Sequence, residues 1–266
     1  MKNEGQLNDL KIAFVSYRSG SAEIYLMDTD GGSIEQITSS EENNSFPFQI
    51  DDRTIGFTRT DSLRNSVKYT IDIYTKQEEL YLEKPIRVCA KWQVESHGNR
   101  LWAFTRSTDY KDRELFIFDT VTGMEKQLTR CKNDKYSAYS INHTWSSNSQ
   151  MLAFMSGPDW YTQNIRIYDL VNDSIFALTD KGFMNSGLSW LSDNNTLIAN
   201  LKIKDETTYE IYSIDIKTKK LQALTEGINL HPDVSPDGEW IVFESQRHGN
   251  HGEVYIMKKM GLIKRG

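Results

Sequence analysis

Four histidines, His143, His231, His248 and His251, hold most of the chemistry open to this chain. Imidazole titrates near neutrality and binds divalent metals through either ring nitrogen. Gathered in one place, such side chains could hold a metal ion or act as a general base. His143, His231 and Asp233 are the candidate metal set, and no cofactor other than such a divalent ion is expected. In Arg247-His248-Gly249-Asn250-His251-Gly252 a guanidinium beside two imidazoles could meet an anion. Trp160, Tyr161 and Tyr110, with Tyr136, Tyr139, Phe46, Phe48 and Phe183, offer aromatic surface of the kind that anchors a protein contact. Other signatures are missing from the sequence. It has no His-Glu-x-x-His, no P-loop and no Gly-x-Ser-x-Gly nucleophile elbow. Asp28-x-Asp30-Gly31 opens like a calcium loop, but Ser39 stands where an EF-hand needs its bidentate Glu. Cys89 and Cys131 match no zinc spacing and are expected to be free thiols.

The elements that must position these residues recur six times. An apolar strand returns around Phe14, Phe57, Phe104, Phe154, Ala199 and Phe243, 43 to 50 residues apart. Each copy runs through a variable loop into a second strand that closes on Asp28, Asp72, Asp119, Asp169 or Asp215, with Lys258 there in the last copy. A third strand usually follows, ending in Ile37-Thr38, Leu128-Thr129, Leu178-Thr179 or Leu224-Thr225. A period in the forties made only of short strands predicts an all-β chain, a six-bladed β-propeller of four-stranded antiparallel blades. Six blades of about 44 residues consume residues 1–266 as a single domain. The first ten residues are expected to supply the inner strand of the first blade, and residues 261–265 the outer strand of the last. The repeated Asp is expected to accept backbone N–H bonds in an Asx-type turn.

In a four-stranded meander a-b-c-d, the b–c hairpins and d–a connections share one end, and the a–b and c–d turns share the other. The b–c hairpins, residues 60–68, 107–113, 157–164, 204–209 and 246–252, are irregular and rich in functional groups. Recognition is expected at that end, because variable loops on a rigid scaffold usually carry it. All the candidate histidines fall there. The Asp-Gly turns at the opposite end are short and uniform, and are expected to be structural. Arg18, Arg59, Arg106 and Arg247 recur at one hairpin position and are expected to pair with neighbouring blades.

A net charge of −6 argues against a general nucleic-acid or anionic-membrane binder. No stretch approaches 18 apolar residues, so no membrane insertion is expected. The N-terminus lacks the apolar core of a signal peptide. As it stands the sequence implies a cytoplasmic monomer, or a periplasmic one if a signal peptide has been removed.

These motifs resemble the WD40-like Pro-Asp repeat of TolB-type propellers. The resemblance lies in Ser235-Pro236-Asp237-Gly238, Ile12 to Gly20, Ile24 to Asp28 and Leu224-Thr225. It implies a non-catalytic recognition scaffold, periplasmic, receiving a protein or peptide partner at the loop-rich end. The chain departs from that family in lacking the preceding α/β domain. The alternative is a carbohydrate-acting lyase or hydrolase, because related propellers acting on oligogalacturonides place a metal and histidines at the channel mouth. His143, His231 and Asp233 would then be the residues concerned.

Overall fold

The structure, a computed structural model, describes residues 10–63, 65–81, 93–95, 98, 100–109, 112–130, 141–157, 163–180, 187–202, 208–249 and 251–259. Among the described residues there are strands and turns but no helix. The chain divides into two compact units, Met1–Arg87 and Val88–Gly266.

The first unit holds two antiparallel sheets. Sheet 1 is β1 (Lys11–Ser16), β2 (Glu23–Asp28) and β3 (Glu35–Gln36). Sheet 2 is β4 (Asn43–Gln49), β5 (Thr54–Thr60), β6 (Ser66–Asp72) and β7 (Glu78–Leu80). The second unit holds four. Sheet 3 runs β8 (Gln93–Glu95), β9 (Leu101–Asp109), β10 (Asp112–Asp119), β11 (Glu125–Gln127). Sheet 4 runs β12 (Ile141–Trp145), β13 (Met151–Ser156), β14 (Asn164–Asp169), β15 (Ser174–Ala177). Sheet 5 runs β16 (Leu188–Trp190), β17 (Thr196–Leu201), β18 (Glu210–Asp215), β19 (Leu221–Ala223). Sheet 6 is β20 (Asn229–Val234), β21 (Trp240–Ser245) and β22 (Glu253–Lys258). Sheets 1 and 6 thus have three strands each among the described residues. The segments expected to complete them, residues 1–9 and 261–265, lie outside those residues.

Each sheet is too small to bury a core alone, so the core is laminated between neighbours. Ile24, Leu26 and Ile37 of sheet 1 meet Ile55, Phe57 and Ile71 of sheet 2. In the second unit, Leu101, Ala103, Leu115 and Ile117 of sheet 3 meet Leu152 and Phe154 of sheet 4. Ile165 and Ile167 pack on Leu197, Leu201 and Ile214 of sheet 5, and Ile198 and Ile211 on Ile241 and Phe243 of sheet 6.

The expected Asx turns form. Asp72 Oδ1 accepts the N–H groups of Tyr74 and Thr75, both at 2.9 Å. Asp119 does the same for Val121 and Thr122, and Asp169 for Val171 and Asn172. Asp215 takes the Thr218 N–H at 2.7 Å and its hydroxyl at 2.8 Å. The Thr75 N–H is the largest influence on Asp72. With the Tyr74 N–H and the Arg53 side chain it outweighs desolvation and lowers the carboxyl to about 2. Asp28 differs, its carboxylate meeting the Lys11 ammonium instead.

The repeated Thr is a clamp. Its hydroxyl accepts the N–H of the first apolar residue of the strand that closes on the repeated Asp, across 2.9 Å, in Thr38–Ile24, Thr129–Leu115, Thr179–Ile165 and Thr225–Ile211. The same hydroxyl donates to the preceding residue: Glu23 at 2.6 Å, Glu114 at 2.7 Å, or Asn164 at 3.2 Å. Glu23 is buried and also accepts bonds from Ser21, the Ser40 N–H and Asn44. Desolvation pushes its pKa up, but the Thr38, Ser40, Asn44 and Ser21 donors prevail and hold it below the ordinary glutamate value. A carboxyl depressed in the folded state contributes stability above its unfolded value, and that contribution drains away as pH falls through the folded one. Glu23→Gln is therefore expected to reduce stability at neutral pH and to flatten its decline below about pH 4.3. Urea midpoints of both proteins at neutral and acidic pH check this; parallel declines would contradict it.

Candidate functional site

Sheet 6 gathers three of the candidates at its loop end. Phe243 and Tyr255 are cross-strand partners with stacked rings 6.0 Å apart. The Arg247 guanidinium lies 4.4 Å from the centre of the Tyr255 ring and 5.7 Å from that of Phe243, a cation–π arrangement. Ser245 Oγ accepts its Nε–H at 2.8 Å and Asn229 Oδ1 accepts from Nη2 at 3.1 Å. His248 Nδ1 and Tyr255 Oη share a hydrogen bond of 2.6 Å, and Glu253 Oε2 lies 3.8 Å from the imidazole. Desolvation first, then the Glu253 charge, raises the Tyr255 phenol above its ordinary value.

The same stack recurs in sheets 1, 2 and 3. Arg18 covers Phe14 and Tyr25, Arg59 covers Phe57 and Tyr69, and Arg106 covers Phe104 and Phe116. The polar partners also lie within each sheet. Arg59 pairs with Glu78 at 2.9 Å and Arg106 with Glu125 at 2.6 Å. Pairing with neighbouring sheets, expected from the repetition, is corrected to pairing within the sheet, for Arg59 and Arg106 with its outermost strand and for Arg18 and Arg247 with the serine two residues before. The aromatic pair sets where the guanidinium lies, and a Glu one strand out is the nearest base. Arg247 instead has neutral oxygens as its hydrogen-bond acceptors, so its charge remains available.

His231 is exposed, at a bulge where the β20–β21 register slips between Leu230 and Asp233. Its φ of 51° is left-handed, a conformation that costs a non-glycine residue roughly 1–3 kcal/mol. Phe46 (φ 52°) and Asn142 (φ 45°) occupy matching slips in β4 and β12. The bulge brings His231 Nδ1 to 3.2 Å from Glu244 Oε2. Gly252 makes room for Glu244: a Cβ there would stand 2.0 Å from Oε1.

Asp233 points elsewhere. Its Oδ1 accepts the Ser189 hydroxyl of sheet 5 and the Val234 N–H, each at 2.9 Å. Although the residue reaches solvent, enclosure by protein desolvates the carboxyl and raises its pKa against those two bonds. His143 is corrected more strongly. It is 5% exposed, with Nε2 3.0 Å from the Ala103 carbonyl oxygen, and so braces sheet 4 against sheet 3 instead of facing an open entrance. Among the described residues no three His, Cys, Asp or Glu side chains form a group able to hold a metal ion. His143, His231 and Asp233 are therefore not assembled as a ligand set. Trp160, Tyr161 and Tyr110 lie outside the described residues, as do Tyr136, Tyr139 and Phe183. Phe46 is exposed, whereas Phe48 packs edge-on to Tyr81 at 6.1 Å.

Sequence reasoning missed Tyr255, Glu244, Ser245 and Asn229, which organise Arg247 and His231. The usable signal was the shared spacing of Ser16-x-Arg18 and Ser245-x-Arg247 behind an aromatic strand.

No family model matches the chain. The Tol-Pal system protein TolB of Wolinella succinogenes is 22% identical over 205 residues, covering 75% of this chain and 46% of that protein. The chain thus spans about half the length of that curated relative. Among solved structures, TolB from Acinetobacter baumannii superposes with a TM-score of 0.72 at 22% identity, over 94% of this chain and 61% of that one. An oligogalacturonate lyase in complex with manganese gives 0.62 at 17% identity, over 96% and 73%. The chain has the all-β fold of TolB-like propellers, and no helix among the described residues is long and apolar enough to cross a membrane.

Proposed function

We propose that this protein is a non-catalytic recognition propeller of the TolB type, a single six-bladed domain of WD40-like Pro-Asp repeats that binds a polypeptide segment at its loop end. The reading extends to a periplasmic monomer that needs no cofactor and binds no nucleic acid. The observation that carries it is Arg247. Its guanidinium is held rigidly on the Phe243–Tyr255 stack with neutral hydrogen-bond partners, where Arg59 and Arg106 have a carboxylate. A preorganised guanidinium beside aromatic rings suits an acidic side chain or a terminal carboxylate of a peptide. The residues around it bind and orient.

The fold is shared with an oligogalacturonate lyase in complex with manganese, so lyase chemistry is the competing reading. The described residues do not fit a manganese site, because they bring no three suitable donors together. Panning a random dodecapeptide library against the protein tests the proposal. Acidic peptides are expected to be enriched, and Arg247→Ala to weaken them by about tenfold or more, the loss of a charge-assisted bond. Arg100→Ala, at the opposite end and paired with Asp119 at 2.9 Å, should change nothing. Absence of enrichment, indifference to Arg247→Ala, or cleavage of oligogalacturonate on addition of manganese would overturn it.

A further inference from the structure

Sheet 2 is apolar on one face only. Ile55, Phe57 and Ile71 turn to sheet 1, and the alternate positions of β5 and β6 carry Thr54, Thr58, Lys68, Thr70 and Asp72. In sheet 4, by contrast, β13 buries Leu152, Ala153, Phe154 and Met155 in succession. Strict alternation is the pattern of a strand with one solvated face. One cross-strand row on the polar face of sheet 2 runs Phe48, Gly56, Thr70, Glu79, and residues directly opposite one another share a face. The tip of the Phe48 ring lies over Gly56, where a Cβ would stand 2.1 Å from it. The half-buried ring and the Thr70 hydroxyl therefore flank the same glycine.

Thr70 and Glu79 also line an open cleft of about 250 Å³, together with Arg53, Asp72 and Gln77. Most of its polar groups are uncommitted. Among the described residues the Gln77 amide and the Glu79 carboxylate have no hydrogen-bond or ion-pair partner. The Thr70 hydroxyl reaches only the Glu79 carbonyl oxygen, at a long 3.5 Å. In hydrogen bonding the Arg53 guanidinium uses Nε alone, on Asp72. Donors and acceptors are thus mixed in one small space, which suits hydroxyl groups, since each both donates and accepts. The charges of Arg53 and Lys68 are matched by those of Asp72 and Glu79. Asp51 and Asp52 in the adjoining turn add negative charge, and Lys76 is turned away onto Glu35 at 2.8 Å. No surplus positive charge is left for an anion. The volume is below that of a drug-sized site and has room for a single small ring.

We infer that this face of sheet 2 binds a neutral saccharide, one pyranose ring in the cleft. Its hydroxyls meet Thr70, Gln77, Glu79 and the outer nitrogens of Arg53, and its C–H face meets the Phe48 ring, whose π-face suits such a contact. An acidic sugar or a phosphate would face three or more carboxylates, and a purely apolar ligand would find one aromatic ring among polar side chains. The site shares no residue with the loop end of sheet 6 and does not rest on recognition there.

The test is saturation-transfer NMR with the methyl glycosides of glucose, galactose and mannose as neutral probes, and galacturonate and glucosamine as charged ones. At least one neutral glycoside is expected to receive saturation, with an affinity unaffected by salt. Thr70→Val combined with Gln77→Ala should weaken it by about tenfold, the loss of neutral hydrogen bonds. Neither side chain makes a strong bond within the fold, and an unchanged urea midpoint confirms that the variant is intact. Phe48→Leu, which keeps Gly56 covered, should also weaken binding. Arg247→Ala should leave it unchanged, so failure here is separable from failure at the loop end. Saturation of the charged probes alone, of none of the neutral glycosides, or undiminished affinity in Thr70→Val with Gln77→Ala would overturn the inference.

Discussion

Phe154→Ala is expected to lower the unfolding free energy by about 3–5 kcal/mol. Phe154 is fully buried in the layer between sheets 3 and 4, among Leu101, Ala103, Leu115 and Ile117 on one side and Leu152 on the other. All of its neighbours sit on strands pinned by ladder hydrogen bonds, so the layer can collapse little around a missing ring and the cavity term remains. Ala199 occupies the same repeat position in sheet 5, packed with Leu201, Tyr212 and Trp190. There the reverse exchange is also unfavourable: Ala199→Phe should cost about 1–3 kcal/mol through overpacking. Urea denaturation of the two variants measures both. A cost below about 1 kcal/mol for Phe154→Ala would mean that the layers are not the close-packed core described.

Thr129→Val should cost about 2–3 kcal/mol, the second largest effect. Valine keeps the shape but removes the hydroxyl that accepts the buried Leu115 N–H and donates to the buried Glu114 carboxylate. Thr179→Val makes the same backbone loss, yet its other partner is the neutral Asn164 at the longer distance of 3.2 Å. Bonds to ionised acceptors are roughly twice as strong as neutral ones. The Thr179 variant should accordingly lose only about 1–2 kcal/mol. Equal costs, or the reverse order, would show that the clamp works through packing alone.

Much of this architecture was legible from residue types. Strand positions, the Asx turns at Asp72, Asp119 and Asp169, and the location of the Leu-Thr pairs all follow from local preferences that act within a few residues. What the repeated threonine does was not legible, because its two partners lie 14 and 15 residues away on another strand. The candidate site was harder still. His143 and His231 both belong to bulged inner strands, and a slip of one residue exchanges inside for outside. The slip occurs at Phe46, Asn142 and His231, none of them glycine, so no residue type announces it. The arginines were found by their spacing, but whether each had a carboxylate to pair with depended on a strand two places away: Glu78 and Glu125 serve Arg59 and Arg106, and the oxygens holding Arg247 come from Ser245 and Asn229.

The most direct measurement is hydrogen exchange followed by mass spectrometry, with and without an acidic peptide recovered by panning. Recognition at the loop end predicts slowed exchange in residues 229–231 and 246–255, unchanged exchange in the turns around Val121 and Val171, and loss of the protection in Arg247→Ala. Protection confined to other segments, or undiminished in Arg247→Ala, would contradict the account.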